Sequence, residues 1–267
     1  MPNRKSQPIR PVGPVRLTPT RSPGSSQLDG AALPGRRKGE VHAVPVYRDW
    51  RSTMSYLRSH WRPGQHMALV ARTRSGKTTA ARRMLALRDW VVVFGTKPRD
   101  PDLYDALERQ GYVIKEHWSP DDTEHNRVIL KPPFDPEDIN KQRAVFRRAL
   151  LDVFRTGGWC LYFDEVLYLS RELKLADTLN LLWLQGGAMG ITLVAGTQRP
   201  RSVPLNMFEQ SSYVCAWRIS DREDRYRAAE YTGPLQAQTF EVLSRLPRFE
   251  FLLVDLLEDE SFRTKVT

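Results

Sequence analysis

Five short, continuous apolar runs punctuate the chain: 67–71 (MALVA), 90–94 (WVVVF), 159–163 (WCLYF), 191–195 (ITLVA) and 213–217 (YVCAW). Runs of this length, apolar at every position rather than at alternate ones, read as strands buried on both faces of a parallel sheet. Helical patterns lie between and before them. Residues 49–61 stop at Pro63-Gly64, 79–87 follow the first run, and 102–110 stop at Gly111. Residues 137–155 place Phe146, Ala149, Leu150 and Val153 on one helical face and stop at Gly157-Gly158. Ser220 with Glu223 reads as a capping box for a helix reaching Tyr231. Residues 178–198 form 21 positions without a charge, long enough to span a bilayer. Polar residues and glycines split them into LLWL and ITLVA, so they read as a helix end, a turn and a strand. Strands alternating with helices predict an α/β domain with a mainly parallel sheet.

Composition divides the chain unevenly. Residues 1–40 hold seven Pro, five Gly, four Ser and no aromatic residue. A segment so poor in apolar groups cannot offset the entropy of ordering it, and a disordered Pro/Arg-rich basic arm is expected there. Its eight basic and two acidic residues carry +6 of the chain's +10. The remaining 227 residues are nearly balanced, which excludes a wholly basic nucleic-acid coat but leaves an arm suited to DNA or a protein partner. Two cysteines, both inside apolar runs, exclude a disulfide framework and suit a reducing compartment. The first residues lack the apolar core of a signal peptide, so a cytoplasmic protein without a membrane span is expected.

Three motifs carry chemistry. Ala71-Arg-Thr-Arg-Ser-Gly76-Lys77-Thr78 stands directly after a strand and before a helix, where the backbone N–H groups of a phosphate-binding loop converge. It departs from GxxxxGK[ST] at Ala71. Trp159–Phe163 then ends in two adjacent carboxylates, Asp164 and Glu165, suited to a Mg²⁺ shell and to activation of water. Thr197-Gln198-Arg199-Pro200 follows the next run and places a polar side chain where a γ-phosphate would be sensed. Singly, these also read as a chance GKT, solvated acids and ordinary loop residues; their order gives them weight, because ligands of open α/β sheets bind at the C-terminal strand edges. The histidines show no metal-ligand spacing, and His66 and His117 read as structural or surface residues.

The combination ARTRSGKT, CLYFDE and AGTQRP resembles the HerA/FtsK superfamily of RecA-like motor ATPases, over roughly residues 65–255. Compact members from actinobacteria and their phages resemble it most, through VVVFGTKPRDP and GTQRP. The resemblance implies a RecA-like P-loop NTPase of the ASCE division over residues 41–267, with sheet order 5-1-4-3-2. Cys160 and Cys215 would then lie three strand spacings apart, roughly 14 Å, too far to bridge. It implies ATP and Mg²⁺ as cofactors, with Thr73, Arg74, Ser75, Gly76, Lys77, Thr78 and Thr79 around the nucleotide. Thr78 and Asp164 would hold the metal, and Lys77, Glu165 and Gln198 would act in hydrolysis. The implied function is an ATP-hydrolysing motor that translocates or packages double-stranded DNA as a homo-oligomeric ring of five or six subunits. A portal or other assembly protein is a further implied partner, and the setting would be a bacterial cell or a phage-infected host.

Departures from the family pattern matter as much. Ala71, Arg72 and Arg74 replace Gly, a small or neutral residue, and Gly. Relatives often carry an arginine finger in the turn where Gly187 stands; Arg199, Arg201 and Arg171 are the candidates to replace it. Lys97 and Arg99 are candidate DNA contacts, with a solvated or nucleotide-side loop as the alternative. Two other functions fit the same motifs: a P-loop ATPase switch or assembly factor that never translocates DNA, and a nucleic-acid-binding protein with an inactive P-loop.

Overall fold

The structure, a computed structural model, describes residues 44–119 and 125–267, so the arm expected over 1–40 lies outside the described residues. All five apolar runs are strands. In chain order the elements are α1 (Trp50–His60), β1 (His66–Val70), α2 (Lys77–Leu85), β2 (Val91–Phe94), α3 (Tyr104–Glu108) and β3 (Val113–Lys115). Then follow β4 (Arg127–Leu130), α4 (Ile139–Thr156), β5 (Cys160–Phe163), α5 (Ala176–Gln185), β6 (Thr192–Thr197) and α6 (Asn206–Glu209). The chain ends with β7 (Ser211–Trp217), α7 (Arg222–Glu230), α8 (Gln236–Arg245), β8 (Glu250–Asp255) and β9 (Glu260–Lys265).

Among the described residues the strands form one sheet in the order β3-β4-β2-β5-β6-β1-β7-β8-β9. Its central five, β7-β1-β6-β5-β2, pair in parallel. Numbered among themselves in chain order, they run 5-1-4-3-2 as expected. The sheet is nonetheless larger than that core: β4 and β3 extend it in parallel beyond β2, and β8 and β9 extend it antiparallel beyond β7.

Each strand sorts its side chains between two layers, because successive residues point to opposite faces. Ala68 and Val70 of β1 pack with Phe146, Ala149, Leu150 and Val153 of α4 and with Leu179, Leu182 and Trp183 of α5. Met67 and Leu69 pack on the other face with Leu57 of α1, Ala80, Ala81 and Met84 of α2, and Leu107 of α3. The helices thus cover both faces, which is why the central strands are apolar along most of their length. Burying a side chain of this size contributes about 1.5–3 kcal/mol. Cys160 and Cys215 are buried, unbridged and separated by β6 and β1.

Local signals place the helix starts. Asp49 caps α1, accepting from the Ser52 amide at 2.8 Å, and Asp138 caps α4, accepting from the Asn140 amide at 3.2 Å. The cap of α7 differs from expectation: the Asp221 carboxylate, not the Ser220 hydroxyl, accepts from the Asp224 amide, at 2.9 Å. The 178–198 stretch resolves into the end of α5, a 3-10 turn at Gly186–Met189, and β6. Among the described residues no helix is long and apolar enough to cross a membrane.

Candidate nucleotide site

Strand register assembles the site. Val70 at the end of β1 lies opposite Thr197 at the end of β6, so the loop after β1 and Gln198 leave the sheet side by side. Phe163 of β5 faces Ala195 of β6 and Phe94 of β2. Asp164 therefore emerges between Gly196 and the loop carrying Thr96 and Lys97. Three motifs far apart in sequence meet at one C-terminal sheet edge, where ligands of open α/β folds bind.

The loop 71–78 has the conformation a phosphate-binding turn needs. Gly76 caps α2 with φ 98°, in the left-handed region open to glycine. Arg74 also adopts a left-handed φ, 60°, and so keeps the backbone shape although the family pattern has Gly there. That costs about 1–2 kcal/mol for a residue with a Cβ. Ala71 has no positive φ, so its extra methyl is accommodated, and its amide donates to the Thr197 carbonyl at 3.0 Å. Thr73 donates its hydroxyl to Gln198 Oε1 at 2.8 Å, tying the loop to the residue expected to sense the γ-phosphate. Ser75 donates its hydroxyl back to the Arg72 carbonyl at 2.6 Å. Thr78 and Thr79 are half-buried on the first turn of α2, and the Arg74 side chain is exposed.

Lys77 is buried and turned onto Asp164: Nζ donates to the Asp164 carbonyl and lies 3.1 Å from Oδ1. Oδ1 also accepts from the Tyr162 hydroxyl at 2.9 Å, while Lys97 Nζ stands 2.6 Å from Oδ2 and 2.8 Å from Asp100. Burial acts to raise the pKa of Asp164, but the two ammonium groups outweigh it and hold the carboxyl at about 2. Glu165 stands in the opposite situation. Burial raises its pKa, Lys77 offsets this only in part, and Oε1 has no hydrogen-bond partner among the described residues. The pKa values of two adjacent carboxylates are thus pushed in opposite directions, that of Asp164 down by its two ammonium partners and that of Glu165 up by burial.

Gly196 is what allows this closeness. A Cβ there would stand 2.5 Å from the Asp164 carbonyl oxygen and 2.5 Å from Lys77 Nζ. Thr78 hydroxyl and Asp164 carboxylate are hard oxygen donors, the set Mg²⁺ takes when phosphates and water supply its remaining ligands. The residues present therefore fit that ion.

Some expected residues lie elsewhere. Lys97, a candidate DNA contact, is engaged at the nucleotide side by Asp164, and Tyr104 fixes its backbone: the Lys97 amide donates to the Tyr104 hydroxyl at 3.2 Å, which donates to the Lys97 carbonyl at 3.0 Å. Arg99 is exposed on the same loop. Arg171 donates to the Ser202 carbonyl at 2.9 Å, and Arg201 is ion-paired with Glu223 and lies 3.8 Å from Asp224. Arg199 is exposed and makes no ion pair among the described residues. Gly187 has a packing reason to lack a side chain, since a Cβ there would approach the Gly64 carbonyl at 3.1 Å. His66 is structural: buried, edge-on to Trp183 at 5.1 Å, accepting from the Leu193 amide at 3.1 Å, its pKa pushed down to about 4 by burial. Tyr162, Gly196 and the pairing of Lys97 were not read from sequence. Period 2 along β5 pointed to Tyr162, which shares a face with Asp164; the other two depend on pairing between distant strands.

No family model matches the sequence, and no curated protein matches it. Solved structures do. The genome packaging NTPase B204 of Sulfolobus turreted icosahedral virus 2, in complex with sulfate, superposes with a TM-score of 0.58 at 16% identity, over 77% of this chain and 98% of that one. The same protein with AMPPCP gives 0.57 at 17% identity, over 77% and 99%. B204 of Sulfolobus turreted icosahedral virus, described as a DNA-packaging ATPase, gives 0.57 at 15%, again over 77% and 99%. The chain has the fold of a RecA-like P-loop ATPase.

Proposed function

We propose that this P-loop ATPase hydrolyses ATP to drive double-stranded DNA, as a ring of identical subunits. The observation that carries the ATPase reading is the convergence of Lys77, Asp164, Glu165 and Gln198 at one sheet edge, with Thr73 bonded to Gln198. The likeness in fold to viral proteins described as genome-packaging and DNA-packaging ATPases favours DNA as the substrate moved.

The residues divide the chemistry of phosphoryl transfer to water. The amides of 73–79 and the N-terminal end of α2 receive the phosphates. Lys77 leaves the Asp164 carbonyl to neutralise charge on the terminal phosphate. Thr78 and Asp164 would hold Mg²⁺, which would supply positive charge to the phosphates. Glu165, partly desolvated and with Oε1 unpartnered among the described residues, takes a proton from the attacking water. Gln198 reports the state of the site to the loop through Thr73. Lys97, with its side chain 47% exposed, has room to move off Asp164 and leave that carboxylate open to a metal. Arg199 is the arginine best placed to cross into a neighbouring subunit, since Arg171 and Arg201 are held within their own chain.

Glu165→Gln tests the assignment. ATP affinity is expected to stay within a few-fold while hydrolysis falls roughly 10²- to 10⁴-fold, the range for loss of a general base. Unchanged hydrolysis would remove Glu165 from the mechanism; no hydrolysis by the unmodified protein would favour a nucleic-acid-binding protein with an inactive loop.

A further inference from the structure

The direction in which a nucleotide lies across this site follows from the sheet. Lys77 meets Asp164 after β5, and Gln198 follows β6; both strands lie on one side of β1. With the terminal phosphate there, the remainder of the nucleotide extends across Gly76 toward the opposite side, where β7 and β8 continue the sheet. On that side Val70 faces Ala216, and Trp217 faces Phe251. Phe249, two residues before Phe251, therefore stands beyond the C-terminal edge of β7, next to the phosphate loop.

Its surroundings suit a ligand better than a core. Phe249 Cδ1 is 3.6 Å from where a Cβ on Gly76 would lie, so the ring abuts the loop directly. The side chain is 39% exposed although it is a large aromatic group. Its φ is 68°, a region bulky residues rarely adopt, held by a turn in which the Glu250 amide donates to the Pro247 carbonyl at 3.2 Å. The Arg248 guanidinium lies 4.6 Å from the ring centroid. Beneath, Trp217 stacks on Phe251 at 4.5 Å, and its indole Nε1 lies 3.9 Å from the same Gly76 position. An exposed, strained aromatic ring backed by a buried aromatic pair borders the half of the site that the phosphate-handling residues leave unassigned.

We propose that Phe249, flanked by Arg248, is the platform on which the nucleobase of the bound nucleoside triphosphate stacks. The proposal rests on the reading of this edge as the ATP site and adds the residue that holds the base. Stacking uses the π face common to all bases, so it contributes affinity without reading the base edge.

Calorimetric titration of the full chain with ATP, and separately with inorganic tripolyphosphate, tests it. Phe249→Ala and Phe249→Leu are expected to weaken ATP binding by roughly 5- to 150-fold, the measured range for losing one stacked base. Tripolyphosphate binding should be unchanged in both, and Phe249→Tyr should keep the affinity for ATP. Equal losses for both ligands, or full ATP affinity in the Leu variant, would overturn the platform while leaving the phosphate site intact. If the Ala variant does not fold, the contrast between Leu, which keeps apolar bulk without a π face, and Tyr, which keeps the ring, carries the decision. Failure of the unmodified protein to bind either ligand would sink the nucleotide-site reading and the platform with it.

Discussion

At Gly196 the absence of a side chain sets how closely Lys77 can approach Asp164. A methyl there would lie 2.5 Å from both the lysine nitrogen, the movable tip of a flexible side chain, and the Asp164 carbonyl oxygen, a backbone atom that yields less readily. Gly196→Ala is expected to destabilise the protein by about 1–3 kcal/mol, the usual cost of overpacking, and to weaken ATP binding; denaturant titration and calorimetry check the two effects. Asp164 gives a second residue-scale test. Its pKa falls from 3.8 to about 2 because Lys77 and Lys97 overcome the effect of burial. The folded state thus binds this proton more weakly than the unfolded state. The resulting stabilisation is complete above 3.8 and is lost as pH falls through about 2. It amounts to something on the order of 2 kcal/mol. Asp164→Asn should flatten that acid limb in denaturation against pH, and lower stability at neutral pH by stranding a buried Lys77. An unchanged acid limb would show that Asp164 is not the titrating group. Lys97 shows why residue roles were only partly legible: a lysine after a strand looks the same whether it faces DNA or a carboxylate 67 positions away.

Among the elements, what was legible follows from how fully each is buried. The five central strands are covered on both faces, so nearly every position inside them is apolar and the run is visible in sequence. β3 has three residues, none buried, and β9 alternates buried Phe262 and Thr264 with exposed or half-buried neighbours. Neither makes a continuous run, and edge strands take their pairing from partners the sequence does not announce. The helix ends were closer to reading, apart from α7, where adjacent Ser220 and Asp221 both suit a cap and backbone geometry chose the second. Asp221→Ala should lower the thermal midpoint and Ser220→Ala should leave it unchanged. The reverse order would restore the capping box. The turn at Gly186–Met189 makes a related point: a Cβ on Gly187 would lie 3.1 Å from the Gly64 carbonyl, a tight contact that only the packed structure reveals.

For the whole molecule, the charge of +10 says little by itself, since +6 belongs to residues 1–40, outside the described residues, and the rest is nearly neutral. The proposal of a DNA-moving ATPase starts instead from one sheet edge that gathers a phosphate loop, a lysine-held aspartate, a partly buried glutamate and a glutamine bonded to that loop. In such a motor, hydrolysis is linked to DNA engagement, whereas a switch that never moves DNA has no reason for that link. The steady-state rate of ATP hydrolysis by the full chain, measured with and without long duplex DNA at fixed Mg²⁺ and salt, decides between them. A rate that rises with DNA and loses that rise in Arg199→Ala is expected of a DNA motor; a rate indifferent to DNA in the unmodified protein would contradict that function.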